Sequence, residues 1–305
     1  MRSKEFFQLA KGAVTAWVDD GASSLGAAIA FYTIFSIAPL LIIVIAIAGA
    51  VWGEDAVRGE IIRQLGGLVG QEGASGVQSL IRSADQPSQG MTAAALSVGV
   101  LIVGATTVFA ELQNALDHIW EVPAREKKTG LWNTLRARLL SFGLVLGLAF
   151  LLLVSLVVSA LLAVLGQWSS GLFPGWELVL QALNTLASLG IATILFAAIY
   201  KFMPQATIAW RDVWTGALVT AVMFEIGKVL IGLYVGKSSM VSSLTAAGSL
   251  VVVLIWVYYA AQIFLLGAEF TWLYANRHGS RRPPPAAGVA EGGPGEQAAA
   301  SMSPP

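Results

Sequence analysis

Apolar residues fall along this chain in long blocks rather than short periods. Six runs, near 25–51, 92–112, 139–165, 178–200, 213–236 and 248–273, are each long enough to cross the roughly 30 Å hydrocarbon core of a bilayer as a helix. Lipid offers no partner to a backbone amide, so runs of this kind satisfy their own hydrogen bonds and fold as helices. The pattern predicts an all-α polytopic membrane protein with six transmembrane helices. The first run is too long, and too far from a small-residue cleavage pattern, for a removable leader, and reads as a signal anchor.

Between the blocks the period changes. In "SKEFFQLAKGAVTAWVDD", Phe6, Ala10, Ala13, Val14 and Trp17 follow helical spacing, with Lys4, Gln8, Lys11, Thr15 and Asp19 opposite. This predicts an N-terminal amphipathic helix at the membrane interface within a cytoplasmic segment 1–22. The loop between spans 1 and 2, about 52–90, places Val57, Ile61, Leu65 and Leu68 on one helical face. "GQEGASG" follows as a turn, then Val77, Leu80 and Ile81. A helical hairpin over the outer side is expected there. The membrane domain takes in 23–276. The remainder, 277–305, is rich in Pro, Gly and Ala with nothing to bury, and is expected to be a disordered cytoplasmic tail.

Composition agrees with the pattern and adds a direction. Charged residues make up 12% of the chain, against about 25% in soluble domains. Arg2, Lys4 and Lys11 precede span 1. Arg125, Lys127, Lys128, Arg136 and Arg138 fall in the second loop, Lys201 and Arg211 in the fourth, and Arg277, Arg281 and Arg282 after span 6. The other connections hold Arg58, Arg63, Arg82 and Lys237, thirteen cations against four. The positive-inside rule then puts both termini in the cytoplasm. Net charge is zero and cysteine is absent, which leaves no basic field for nucleic acid, no disulfide and no thiolate metal site. No cofactor pattern is present.

Charge inside the spans is the chemically informative feature. Glu225 lies about 18 Å along span 5 from its cytoplasmic end at 1.5 Å per residue, with Lys228 one turn further. Each costs about 2.5–3.5 kcal/mol at mid-membrane on the most forgiving scale. Their i,i+3 spacing puts them on one face, where they form either a self-compensated packing pair or the lining of a polar cavity. Span 6 presents Tyr258, Gln262 and Glu269 as one stripe, and span 2 presents Thr107, Glu111, Asn114 and His118. Glu111 and Glu269 lie near the cytoplasmic ends, where snorkelling to water is the simpler account. Together the three stripes predict a cytoplasm-facing cavity between spans 2, 5 and 6. Pro39 interrupts span 1 and predicts a kink, with Ser36 to satisfy the freed backbone. Gly143 with Gly147, and Gly232 with Gly236, have the spacing of close helix contacts; the second pair is a candidate homo-oligomer face.

Four stretches resemble the YihY/BrkB family of bacterial inner-membrane proteins: "AAIAFYTIFSIAPLLI" at 27–42, "FAELQNALDHIWEVP" at 109–123, "YKFMPQATIAWRDVWTGALVTAVMFEIGKVLIGLYVGKSS" at 200–239 and "AAGSLVVVLIWVYYAAQIFLLGAEFTWLYA" at 246–275. The resemblance covers about residues 10–276; Met240 to Thr245 depart from the usual pattern. It implies six spans and an inner-membrane location. Members long carried the label ribonuclease BN, a misassignment. Some are linked to serum resistance and virulence, and one branch to export of lipid A precursors. Glu225, Gly227 and Lys228 match its "FExGK" motif; Trp256, Tyr258, Gln262, Gly267 and Glu269 match its last-helix motif. The resemblance brings no catalytic role for any of them.

Three function classes follow. A transporter of lipid, envelope precursor or small solute uses Glu225 and Lys228 to meet an anionic lipid, a glycolipid or a coupling proton. A membrane scaffold uses the same pair as packing glue. An enzyme is disfavoured: His118 and His278 have no metal-spaced partners, and neither a nucleophile elbow nor a P-loop occurs.

Overall fold

The computed structural model describes residues 3–84, 91–123, 176–237 and 246–281. These contain seven α-helices and no strand: α1 (Ser3–Asp19), α2 (Ala22–Trp52), α3 (Glu54–Ala84), α4 (Met91–Ile119), α5 (Trp176–Phe202), α6 (Trp210–Lys237) and α7 (Ala246–Arg277). The run at 139–165 with Gly143 and Gly147, the basic loop at 125–138 and the tail beyond residue 281 lie outside the described residues. So does the 238–245 stretch.

Among the described residues, three stretches are both long and apolar enough to cross a membrane: Ala22–Ala50 in α2, Val179–Phe202 in α5 and Leu250–Arg277 in α7. α4 and α6 are nearly as long, 29 and 28 residues, or about 42–44 Å at 1.5 Å per residue. α4 carries Glu111 and Asp117, and α6 carries Arg211, Asp212, Glu225, Lys228 and Lys237. Length therefore suffices in all five.

Two glycines set the corners of the N-terminal half. Gly21 adopts φ +61° between α1 and α2, a left-handed conformation that a side chain disfavours. The chain turns there with no intervening loop, through Gly21 N–H to the Val18 carbonyl at 3.1 Å. Gly70, at φ +77°, breaks α3 into two arms. Both arms rest on one apolar cluster: Val57, Ile61 and Leu65 from the first, Val77 and Ile81 from the second, against Ile45 of α2 and Val253 of α7. The expected hairpin is present, but its turn is a single residue rather than the whole "GQEGASG" stretch. Gly73, Ala74 and Gly76 continue into the second arm, where they are buried.

α7 is the hub, packed on α1, α2, α3 and α6, while α4 lies chiefly on α2. α2 runs through Pro39 as one helix. The proline ring fills the space above Gly104 of α4, its Cγ 3.0 Å from where a Cβ would stand, so Pro39 serves packing. Ser36 does not take up the freed backbone, since its Oγ is buried without a hydrogen-bond partner among the described residues.

Candidate functional site

The antiparallel contact of α6 with α7 is built from four residues used twice over. Thr220 Oγ1 donates to the Gly216 carbonyl at 2.8 Å, and Thr271 Oγ1 to the Gly267 carbonyl at 2.6 Å. Each threonine then stands against the other helix's glycine, Thr220 on Gly267 and Thr271 on Gly216, so close that a methyl group at either glycine would overlap it. Tyr200 of α5, fully buried, completes the joint. Its hydroxyl donates to the Phe264 carbonyl at 2.7 Å and lies 3.1 Å from Thr220 Oγ1. Around it stack Phe196, Phe264 and Phe224, the last edge-on to Trp256 at 5.9 Å. Sequence reasoning missed this joint; the G-x-x-x-T spacing repeated in α6 and α7 was its only signal.

One turn beyond this aromatic cluster lies the pair raised by the sequence. Lys228 Nζ and Glu225 Oε2 are 2.6 Å apart, with 31% and 24% of their side chains exposed. The pair is thus neither sealed nor free. Between the two residues, Gly227 is buried beneath Tyr259 and Ile263 of α7, whose atoms occupy the place of a Cβ. The ion pair bridges two positions of one helix, not two helices. Gly232 and Gly236 lie in the last turns of α6.

The second polar place is on another side of α7. Gln262 lies against Gly26 of α2 and donates through Nε2 to the Ser23 carbonyl at 3.4 Å. Glu269, two turns on, is only 1% exposed. Its Oε1 has no hydrogen-bond partner among the described residues, and its charged neighbours are the carboxyls of Asp20 and Glu121. Snorkelling therefore does not account for Glu269: α1 and the Gly21 corner cover it. Tyr258 shares this stripe and is 38% exposed. At about 100° per residue, the Tyr258–Gln262–Glu269 stripe and the Tyr259–Ile263 face that meets Gly227 lie about 100° apart around α7. The structure thus gathers the predicted polar residues into two places.

The span 2 residues divide again. Asn114 and His118 are exposed, and Glu111 is half-buried. Asp117 is 2% exposed and accepts the Gln205 amide at 2.7 Å. Asp212 plays the matching part at the start of α6. It is buried and accepts Ser280 N–H at 3.0 Å and Ser280 Oγ–H at 2.7 Å. Arg281 donates to the Thr207 carbonyl and lies 5.2 Å from the Trp120 ring. Residues 278–281, expected to open the disordered tail, are thereby fastened to the 5–6 connection. No group of three or more His, Asp or Glu residues able to hold a metal occurs among the described residues.

Long apolar helices around a hub, with an ion pair set into one of them, define a polytopic helical protein embedded in the lipid bilayer. The chain belongs to the family described as Virulence factor BrkB, whose model matches residues 13–290. Among its relatives is a UPF0761 membrane protein of Ralstonia nicotianae, 28% identical over 256 residues that make up 82% of this chain and 55% of the relative. Another, from Azotobacter vinelandii, is 30% identical over 276 residues, 88% of this chain and 63% of the relative. This chain therefore spans between about half and two thirds of the length of these relatives. No solved structure matches it.

Proposed function

We propose that the protein is a non-enzymatic transporter that carries an anionic solute or lipid across the bacterial inner membrane, with Glu225 and Lys228 as its mid-membrane polar station. In this reading α2, α4, α5, α6 and α7 span the bilayer with the 139–165 run as the sixth helix. Both termini are cytoplasmic, and α1 lies in the interface. The carrying observation is that the ion pair does no packing between helices among the described residues. The Gly216–Thr220–Gly267–Thr271 quartet and Tyr200 join α6 to its neighbours, whereas Glu225 and Lys228 pair within one turn and stay partly exposed. A charge pair kept at mid-membrane at a cost of several kcal/mol, and not used as glue, is available to exchange partners with an anion. Lys228 supplies the attraction, and Glu225 holds the lysine when the anion leaves.

The test compares native mass spectra of gently extracted wild type and Lys228→Met. An anionic lipid or glycolipid retained by wild type and lost from the mutant supports the station. Equal retention by both, together with full activity of Glu225→Gln and Lys228→Met in cells lacking the native gene, refutes it. A protein co-purifying in fixed ratio with both forms favours the scaffold reading instead.

A further inference from the structure

The cytoplasmic end of α7 carries a second feature that the polar station does not use. Both ends of α1 meet α7 at nearly one level: Phe6 stacks on Phe270 at 5.8 Å, and Asp20 neighbours Glu269. These positions on α1 are about 21 Å apart at 1.5 Å per residue, so α1 lies across α7, not along it. Leu9 and Ala13 seat it on Phe270 and Leu273. Beside that seat, α1 and α7 line an open cleft of about 480 Å³ whose lining includes Lys11, Arg277, Gln8, Thr15 and Asp19. Neither Lys11 nor Arg277 is held in an ion pair among the described residues. On the adjoining edge of α1, Phe7, Val14 and Val18 are 71%, 50% and 62% exposed, an apolar strip next to the cationic cleft.

We propose that this cleft binds the phosphate of an anionic phospholipid, with Lys11 and Arg277 flanking the headgroup and Phe7, Val14 and Val18 among the acyl chains. The proposal rests on the interfacial placement of α1 but not on the role of Glu225 and Lys228. Two cations converge on one opening, and Gln8 and Thr15 add neutral hydrogen-bonding groups. Asp19 sits at the same lining and favours a singly charged phosphodiester over a dianionic phosphate. The apolar strip favours a lipid over a free phosphate, because it offers the tails a surface continuous with the headgroup site.

The test titrates the full chain in neutral detergent with dioleoyl-phosphatidylglycerol and dioleoyl-phosphatidylcholine, reading the first bound lipid by native mass spectrometry. Wild type is expected to prefer the anionic lipid. A juxtamembrane cation contributes about fivefold to such binding at moderate salt. Lys11→Gln with Arg277→Gln should therefore weaken phosphatidylglycerol about 25-fold and leave phosphatidylcholine unchanged. Thr15→Glu, on the exposed side of α1, should weaken it similarly with the α1–α7 seat intact. Lys228→Met should leave this selectivity in place. If Lys228→Met removes it while the Lys11 and Arg277 changes do not, the lipid belongs to the mid-membrane station and the cleft proposal falls. It also falls if inorganic phosphate displaces the lipid, since the ligand is then a soluble anion. In the cysteine-free chain, Val14→Cys tests the placement of α1 separately. Protection from a charged maleimide in vesicles supports immersion; free labelling overturns the seating of Val14 among the acyl chains and with it the proposal.

Discussion

α7 meets its neighbours in two unlike ways. Toward α6 it is joined by glycine, threonine and one buried tyrosine, with hydroxyl groups satisfied and no charge between the helices. Toward α1 and the start of α2 it meets carboxyls, a long amide contact from Gln262 and a cationic cleft. In lipid, helices gain little by hiding apolar surface from one another, so close backbone approach and satisfied polar groups hold them together. The α6 side meets that requirement fully. The α2 side does not, and it holds Glu269 and Gln262, each with a buried oxygen that lacks a hydrogen-bond partner among the described residues. Strength and chemistry have been assigned to opposite faces of the same helix.

The comparison is broken most severely at the tight face. Gly267→Leu drives a side chain into Thr220 and Tyr200, and overpacking of this kind costs about 1–3 kcal/mol or more. The measurement is the unfolding temperature in detergent at fixed scan rate. Gly267→Ala should lose less, and pairing it with Thr220→Ala should restore part of the loss. Strict additivity would mean that the two do not share the contact. Tyr200→Phe comes next. It keeps the ring in its stack and removes the hydroxyl that meets Phe264 and Thr220, for an expected cost of about 0.5–1.5 kcal/mol.

Just past the end of α7, Asp212→Ala releases Ser280 N–H and Oγ–H. A loss of about 1 kcal/mol is expected, the usual size for a capping interaction. Limited proteolysis should then cut near residues 278–281 sooner than in wild type, and unchanged cleavage would deny the fastening. The smallest effect lies outside the membrane helices, on α3. The Arg63 guanidinium bonded to Glu60 holds that carboxyl below the usual glutamate range, against a smaller opposing effect of burial. The stabilisation is therefore present above the unfolded glutamate pKa and is lost as pH falls through the lower folded value. Both groups are solvent-accessible, so Arg63→Gln should cost no more than about 0.5 kcal/mol near neutrality, and nothing once Glu60 is protonated in wild type as well.

Much of this was legible in the sequence, and the parts that were not share a cause. The long helices and the Glu225–Lys228 pairing depend on neighbours along the chain, through self-satisfied backbone and i,i+3 geometry, so apolar runs and spacing reveal them. The quartet of Gly216, Thr220, Gly267 and Thr271 depends on two segments about fifty residues apart meeting in one antiparallel register. Small residues are too common in membrane helices for either half to stand out. Glu269 was misjudged for a related reason. Its distance from the end of α7 fits snorkelling, but its burial is decided by α1, which folds back because Gly21 accepts a left-handed φ. Asp117 and Asp212 resemble ordinary helix-end charges until the amides of Gln205 and Ser280 are brought to them from elsewhere in the chain.

Tyr200 has a mechanical consequence. A side chain of α5 that holds a carbonyl of α7 and touches a hydroxyl of α6 is a rivet through three plates. At that level α5, α6 and α7 turn as one body, carrying the ion pair and Tyr259 with them. Among the described residues, the seam between α7 and α2 has no such rivet. There one 3.4 Å bond from Gln262 spans the gap, and Gly21, the glycine corner at its rim, joins α1 directly to α2.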